Sequence, residues 1–167
     1  MVSLINDESP SVRNNVLKSF SEFGPEFYSI LNEVDTGLDE NGMKYIFKLM
    51  TDYIIEHPEY NTFSDYKIGS KIKHKNYHYD GLIVDIDFYC FANDEWYQNN
   101  NTKPDKCQPW YHVLVNDSSM VTYAAQSNLY SGDEENLDIS HPYINHFFDK
   151  NNEGVYIRND KPWPREY

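Results

Sequence analysis

A chain of 167 residues with 40% hydrophobic content can bury one core, or one domain and a small attached piece. Its formal charge of −13 makes nucleic acid and anionic membranes poor nonspecific partners, and its two cysteines are too few for a disulfide framework. The start, Met1-Val2-Ser3-Leu4-Ile5, lacks the basic and apolar regions of a signal peptide, and no run is apolar enough to span a bilayer. A soluble protein of the cytoplasm or nucleus, with no membrane partner, is expected.

The charge is uneven. Residues 1–66 carry 12 acids and 4 bases, residues 67–130 carry 7 and 6, and residues 131–167 carry 8 and 4. The middle third is thus nearly neutral between acidic flanks.

Ser9-Pro10 opens a first helix, with Ser as cap and Pro at the first helical position. Val12, Val16, Leu17 and Phe20 share one face. Gly24-Pro25 breaks it and starts a second helix with the stripe Phe27, Ile30, Leu31 and Val34. Residues 35–42 read as a loop in which Asp39 caps a third helix carrying Met43, Phe47, Met50 and Ile54 and stopping near His57-Pro58. These stripes read as core. An N-terminal helical segment over residues 1–60 is the result.

Around Tyr66 the period changes from helical to alternating, with the boundary in 58–65. Residues 67–75 read as a strand with Ile68, Ile72 and His74 inward and Lys71, Lys73 and Lys75 on the other face. After a turn, Leu82, Val84, Ile86 and Phe88 point one way on a second strand while Asp85 and Asp87 point the other, toward solvent and in reach of the lysines. Residues 91–106 form a long polar loop with Asn99-Asn100-Asn101, yet it holds Trp96 and Tyr97.

Pro109 then introduces the β-rich run Trp110-Tyr111-His112-Val113-Leu114-Val115. An Asn116-Asp117-Ser118-Ser119 turn leads to a second run ending at Ala125. Turn residues between two β-prone runs predict a hairpin. Bulky groups on both faces make its first strand central: Tyr111, Val113 and Val115 on one, Trp110, His112 and Leu114 on the other. A short strand is expected at residues 127–130. The acidic run Asp133-Glu134-Glu135 precedes Ile139-Ser140-His141-Pro142, which begins a short helix with Ile144, Phe147 and Phe148 inward. Val155-Tyr156-Ile157 reads as a last strand, and Pro162-Trp163-Pro164 as an extended tail.

Four blocks in order carry a resemblance: Ile68-Gly69 with Ile72 and His74, then Gly81-Leu82-Ile83-Val84-Asp85-Ile86-Asp87, then Pro109-Trp110-Tyr111-His112-Val113-Leu114-Val115, then Thr122-Tyr123-Ala124-Ala125-Gln126-Ser127-Asn128-Leu129. In them the chain resembles the YccV-like family, also called the HspQ or hemimethylated-DNA-binding domain. The resemblance implies a small SH3-like β-barrel. The fold class expected is therefore α+β: a helical segment, a barrel over residues 66–130, and an extension over residues 131–167 packed on the barrel as a short helix and tail.

Glu95-Trp96, Gln108-Pro109 and Ile139-Ser140-His141-Pro142 are shared with the F-box-type members of the family, near the C-terminal end of those proteins. Residues 1–66 leave no room for both an F-box and their large middle domain; as a whole product the chain is not expected to dock into a ubiquitin ligase by that route, and it could equally be a C-terminal fragment of a longer F-box-type protein.

The catalytic and metal readings are weak. His74, His78, Cys90, Cys107 and His112 lack the close ligand pairs that a zinc site uses. Nothing marks Cys90 as an activated nucleophile beside His112. Seven glycines include no phosphate-cradling loop. No enzyme activity, metal or cofactor is expected.

Two binding readings remain. In the first, implied by the resemblance, the chain is an adaptor or substrate-recognition module in protein quality control or ubiquitin-dependent degradation, and a protein partner or degradation substrate meets Trp96, Tyr97, Trp110 and Tyr123. The plain alternative makes Trp110 and Tyr123 core and Trp96 a plug on the barrel end. In the second, Lys67, Lys71, Lys73 and Lys75 hold DNA; the net charge disfavours it.

Overall fold

The computed structural model describes residues 2–33, 37–132 and 138–165. Val34, Asp35 and the Asp133-Glu134-Glu135 run lie outside the described residues. Among the described residues no helix is long and apolar enough to cross a membrane.

The chain forms two compact units. One comprises residues up to Ser64 together with Asp87–Phe91 and Lys106–Pro109; the other comprises Asp65–Ile86, Ala92–Asp105 and the chain from Trp110 onward.

The first unit is helical: α1 (Pro10–Glu22), α2 (Glu26–Glu33) and α3 (Glu40–Glu56). Asp39 caps α3 by accepting the Gly42 N–H at 2.8 Å. Ser9 stands at the start of α1 without a side-chain cap bond. Its own N–H goes to Asp7 Oδ1 at 2.8 Å, while the Arg13 guanidinium holds the Asp7 carbonyl at 2.6 Å. The core is aromatic. Phe27 packs on Phe20 at 4.7 Å, and Phe47 stacks between Tyr28 at 5.0 Å and Tyr89 at 5.4 Å. Phe88 belongs here because α3 and α2 take its backbone polar groups: Thr51 Oγ1 accepts the Phe88 N–H and Tyr28 Oη donates to the Phe88 carbonyl; Tyr89 joins through its stack on Phe47. Burial drives the Tyr89 phenol up to about 12.

The second unit is built on a five-stranded sheet of order β4-β3-β2-β1-β5. The strands are β1 (Lys71–His74), β2 (Asp80–Asp87), β3 (Trp110–Val115), β4 (Val121–Ala125) and β5 (Leu129–Ser131). β3 and β4 form the expected hairpin, with His112 opposite Tyr123 and Trp110 opposite Ala125. β1 pairs antiparallel with both β2 and β5. Among the described residues the order stays open, so the closed barrel expected from the sequence is not seen. What is seen is a mixed fold of helices with an antiparallel sheet.

Residues 91–106 are more ordered than a loop. Asn93 accepts the Trp96 N–H at 2.8 Å and starts a six-residue helix, α4 (Asp94–Asn99). A four-residue helix, α5 (Ile144–Phe147), leads into β6 (Phe148–Lys150), which pairs with β7 (Tyr156–Arg158). Phe148 therefore begins a strand rather than ending the helix.

Leu82, Val84 and Leu114 bury against Ile139, Phe147, Phe148 and Tyr156, with Trp163 partly covered beside them. Gly81 lets β2 approach β3: a Cβ there would meet Val113 Cγ1 at 2.5 Å and the Leu114 carbonyl at 2.8 Å. Gly69 has φ of +87°, and a Cβ there would strike the Tyr156 carbonyl at 2.6 Å.

The expectation that Asp85 and Asp87 face solvent beside the lysines is overturned. Both are buried. The register sets Lys71 opposite Leu82 and Lys73 opposite Asp80. Asp85 instead takes a two-pronged bond from Arg165, Nε to Oδ2 at 2.7 Å and Nη2 to Oδ1 at 2.9 Å. A guanidinium can match both carboxylate oxygens in one plane, as a lysine cannot.

Candidate functional site: an aromatic cleft rimmed by asparagines

Trp96, Tyr97, Trp110 and Tyr123 come together. Trp110, on β3, is fully buried and carries the group. Tyr123, its diagonal neighbour on β4, lies 5.1 Å away and tilted. α4 sets Trp96 edge-on to Trp110 at 6.2 Å and beside Tyr123 at 5.9 Å. Tyr97 lies 6.5 Å from Trp110 and donates to the Pro104 carbonyl at 2.7 Å, which ties α4 to the return of its own loop. Trp96 stays 39% exposed, so it is neither a sealed plug nor a side chain standing free. His112 extends the stack, 4.6 Å from Tyr123 and 5.4 Å from Trp163.

Beside this group opens a cleft of about 350 Å³, lined by Trp96, Asn99 to Thr102, β4, and Tyr77, Tyr79 and His74 from the β1–β2 turn. Its polar groups are partly spoken for. Asn100 Oδ1 accepts from Thr102 N at 3.0 Å and Oγ1 at 2.8 Å. Asn128 Nδ2 donates to Thr102 Oγ1 at 3.0 Å, and the Tyr79 and Thr122 hydroxyls share a 2.8 Å bond. His74 Nδ1 accepts the N–H groups of Asn76 and Tyr77, both at 3.1 Å, so its proton resides on Nε2. Burial first, and then His78, hold the His74 pKa below the usual range. The ring is neutral at physiological pH. Every residue lining the cleft is uncharged in that state.

Tyr77, Tyr79 and Asn128 were not singled out in the sequence. A signal was there: Asn76-Tyr77-His78-Tyr79 places two rings in a turn, where a core has no use for them.

The lysines are dispersed in role. Lys67 is exposed. Lys71 lies over the Tyr156 ring at 5.9 Å, and Lys75 donates to the Ser127 carbonyl at 2.7 Å. Lys73 faces Tyr130 across β5. Among the described residues no three His, Cys, Asp or Glu side chains are placed to hold a metal ion.

The four blocks place the chain among known proteins. F-box only protein 21 from Homo sapiens, from Mus musculus and from Pongo abelii is each 39% identical to it over 97 residues. That match covers 56% of this chain and 15% of each relative. The family described as hemimethylated DNA-binding protein YccV-like matches residues 64–155, more than half of the chain. The sheet, its aromatic cleft and the extension from Ile139 to Val155 thus fall within that match, and the chain belongs to the YccV-like family.

Proposed function

We propose that this chain is a non-enzymatic protein-interaction module, acting in the cytoplasm or nucleus as an adaptor or substrate-recognition element of protein quality control or ubiquitin-dependent degradation. Its sheet corresponds to an SH3-like barrel, and the partner meets the surface formed by Trp96, Tyr97 and Tyr123 over the buried Trp110. The carrying observation is Trp96. It is a large ring left 39% exposed by a helix whose cap and tether hold it in place. Fixed aromatic side chains on a rigid support are the residues that dominate binding energy at protein interfaces. The likeness to F-box only protein 21 supports the setting, since an F-box protein works by contacting other proteins.

The alternative reading, DNA held by Lys67, Lys71, Lys73 and Lys75, draws on the family's description. Against it stand the charge of −13 and the engagement of Lys71 with Tyr156 and Lys75 with Ser127.

The test is Trp96→Ala in the intact chain, with partner capture and thermal unfolding measured on the same preparations. Capture by the folded protein should weaken by about 2 kcal/mol or more, while stability falls by about 2–3 kcal/mol, short of the full cost of a sealed ring, because part of the ring stays exposed. A large stability loss with normal binding by the folded fraction would return Trp96 to the core.

A further inference from the structure

The last described residues lie on the second unit as a bound peptide would. We infer that they occupy a recognition site for partner segments bearing an aromatic ring and, two residues later, an arginine, so that the tail must leave before such a partner enters. The site is separate from the Trp96 cleft, and none of the residues lining that cleft belongs to it.

Exposure alternates along the tail. Pro162 and Pro164 face solvent, whereas Trp163 and Arg165 are half-buried. Up to Lys161 the backbone is fastened: the Asn159 N–H donates to the Phe147 carbonyl at 2.9 Å, and the Lys161 N–H to Asn159 Oδ1 at 3.1 Å. Beyond it, two prolines have no N–H to donate, so the segment cannot pair as a strand. Two side chains hold it. The Trp163 ring lies 5.1 Å from Phe147 and 5.4 Å from His112. Arg165 sets Nε on Asp85 Oδ2 at 2.7 Å and Nη2 on Oδ1 at 2.9 Å, and Nη2 also reaches the Ile86 carbonyl at 3.4 Å. An extended backbone puts side chains two residues apart on one side.

The receiving groups select the occupant. Asp85 has only 7% of its side chain exposed, so whatever replaces Arg165 must bring a positive charge into a place nearly closed to water. A neutral group leaves the carboxylate without its partner, and an anion is repelled. A lysine supplies one point of charge, whereas a guanidinium meets both carboxylate oxygens in a plane and keeps a hydrogen for the Ile86 carbonyl. At the other anchor the rings of Phe147 and His112 meet Trp163 at 57° and 47°, tilted contacts that another aromatic side chain can repeat. The net charge of −13 draws a basic segment toward the chain.

The experiment titrates the intact chain with a capped, fluorescent Pro-Trp-Pro-Arg peptide and reads anisotropy. A short tether holds the tail beside its site at high effective concentration, so the unaltered chain should bind the peptide weakly. With the tail disabled by Trp163→Ala and Arg165→Ala together, binding should tighten by about tenfold or more. Pro-Trp-Pro-Lys and Pro-Ala-Pro-Arg should each bind this variant about tenfold less well. Adding Asp85→Asn should abolish binding.

A folded double variant that ignores the peptide would overturn the proposal, as would equal binding of the arginine and lysine peptides. So would a dimer of the unaltered chain that exchanges tails, since the occupant would then be a second copy. If the double variant loses its sheet, the unaltered chain decides by NMR. Excess peptide should move its Trp163 indole signal to that of an exposed ring. A signal unmoved by peptide in large excess would show the tail to be a fixed part of the fold.

Discussion

Gly81 shows how tightly one residue sets the sheet. Replacing it with Ala puts a methyl carbon within 2.8 Å of the Leu114 backbone carbonyl, which cannot rotate away as a side chain could. Overpacking of this kind costs about 1–3 kcal/mol, and the upper end is expected here. A lowered midpoint in urea unfolding checks it; an unchanged midpoint would show that β2 and β3 have slack.

Asp85 makes the complementary point about what one residue hides. Alternation on β2 puts it opposite Val84 and Ile86, which reads as a wet face. Asp85 is paired there because Arg165, eighty positions away, comes back to it. A local pattern reports which residues share a face, but what covers the face is a long-range fact.

At the scale of elements, legibility followed length and periodicity. The hairpin of β3 and β4 showed in the sequence because β-branched and aromatic runs flank a turn made of Asn, Asp and Ser. α3, with 17 residues, displayed its stripe over several turns. α4 spans only six residues, too few for a period to emerge, so the sequence shows it only as part of a polar loop. The cleft was half legible for the same reason. Trp96 and Tyr97 stood out in a polar loop, whereas Tyr77 and Asn128 become partners only once β1 and β5 pair.

Two histidines tie elements to their turns. His74 ends β1 and accepts two backbone N–H groups. His141 is buried, accepts the Tyr143 N–H through Nδ1 and meets the Met120 carbonyl through Nε2. Burial holds both pKa values below 6.5. A depressed folded-state value means that the unfolded chain binds the proton more readily, so this stability is present above pH 6.5 and is lost as pH falls through the folded values. The thermal midpoint should therefore fall between pH 6.5 and about 5, before most carboxylates titrate. Flat behaviour across that window would mean that the rings are protonated in place at no cost.

For the whole molecule, charge and surface chemistry divide the work. The acidic flanks repel polyanions, while the cleft beside the sheet is lined by uncharged residues. The YccV-like family match runs over residues 64–155, and the F-box relatives are matched over 15% of their length. Hydrogen exchange of the intact chain, with and without a captured partner, tests the central claim most directly. Protection is expected over 94–102, 121–125 and 77–79, which line the cleft, with none over 71–73. Protection of 71–73 while the cleft exchanges freely, or protection confined to the helices of 10–56, would contradict it.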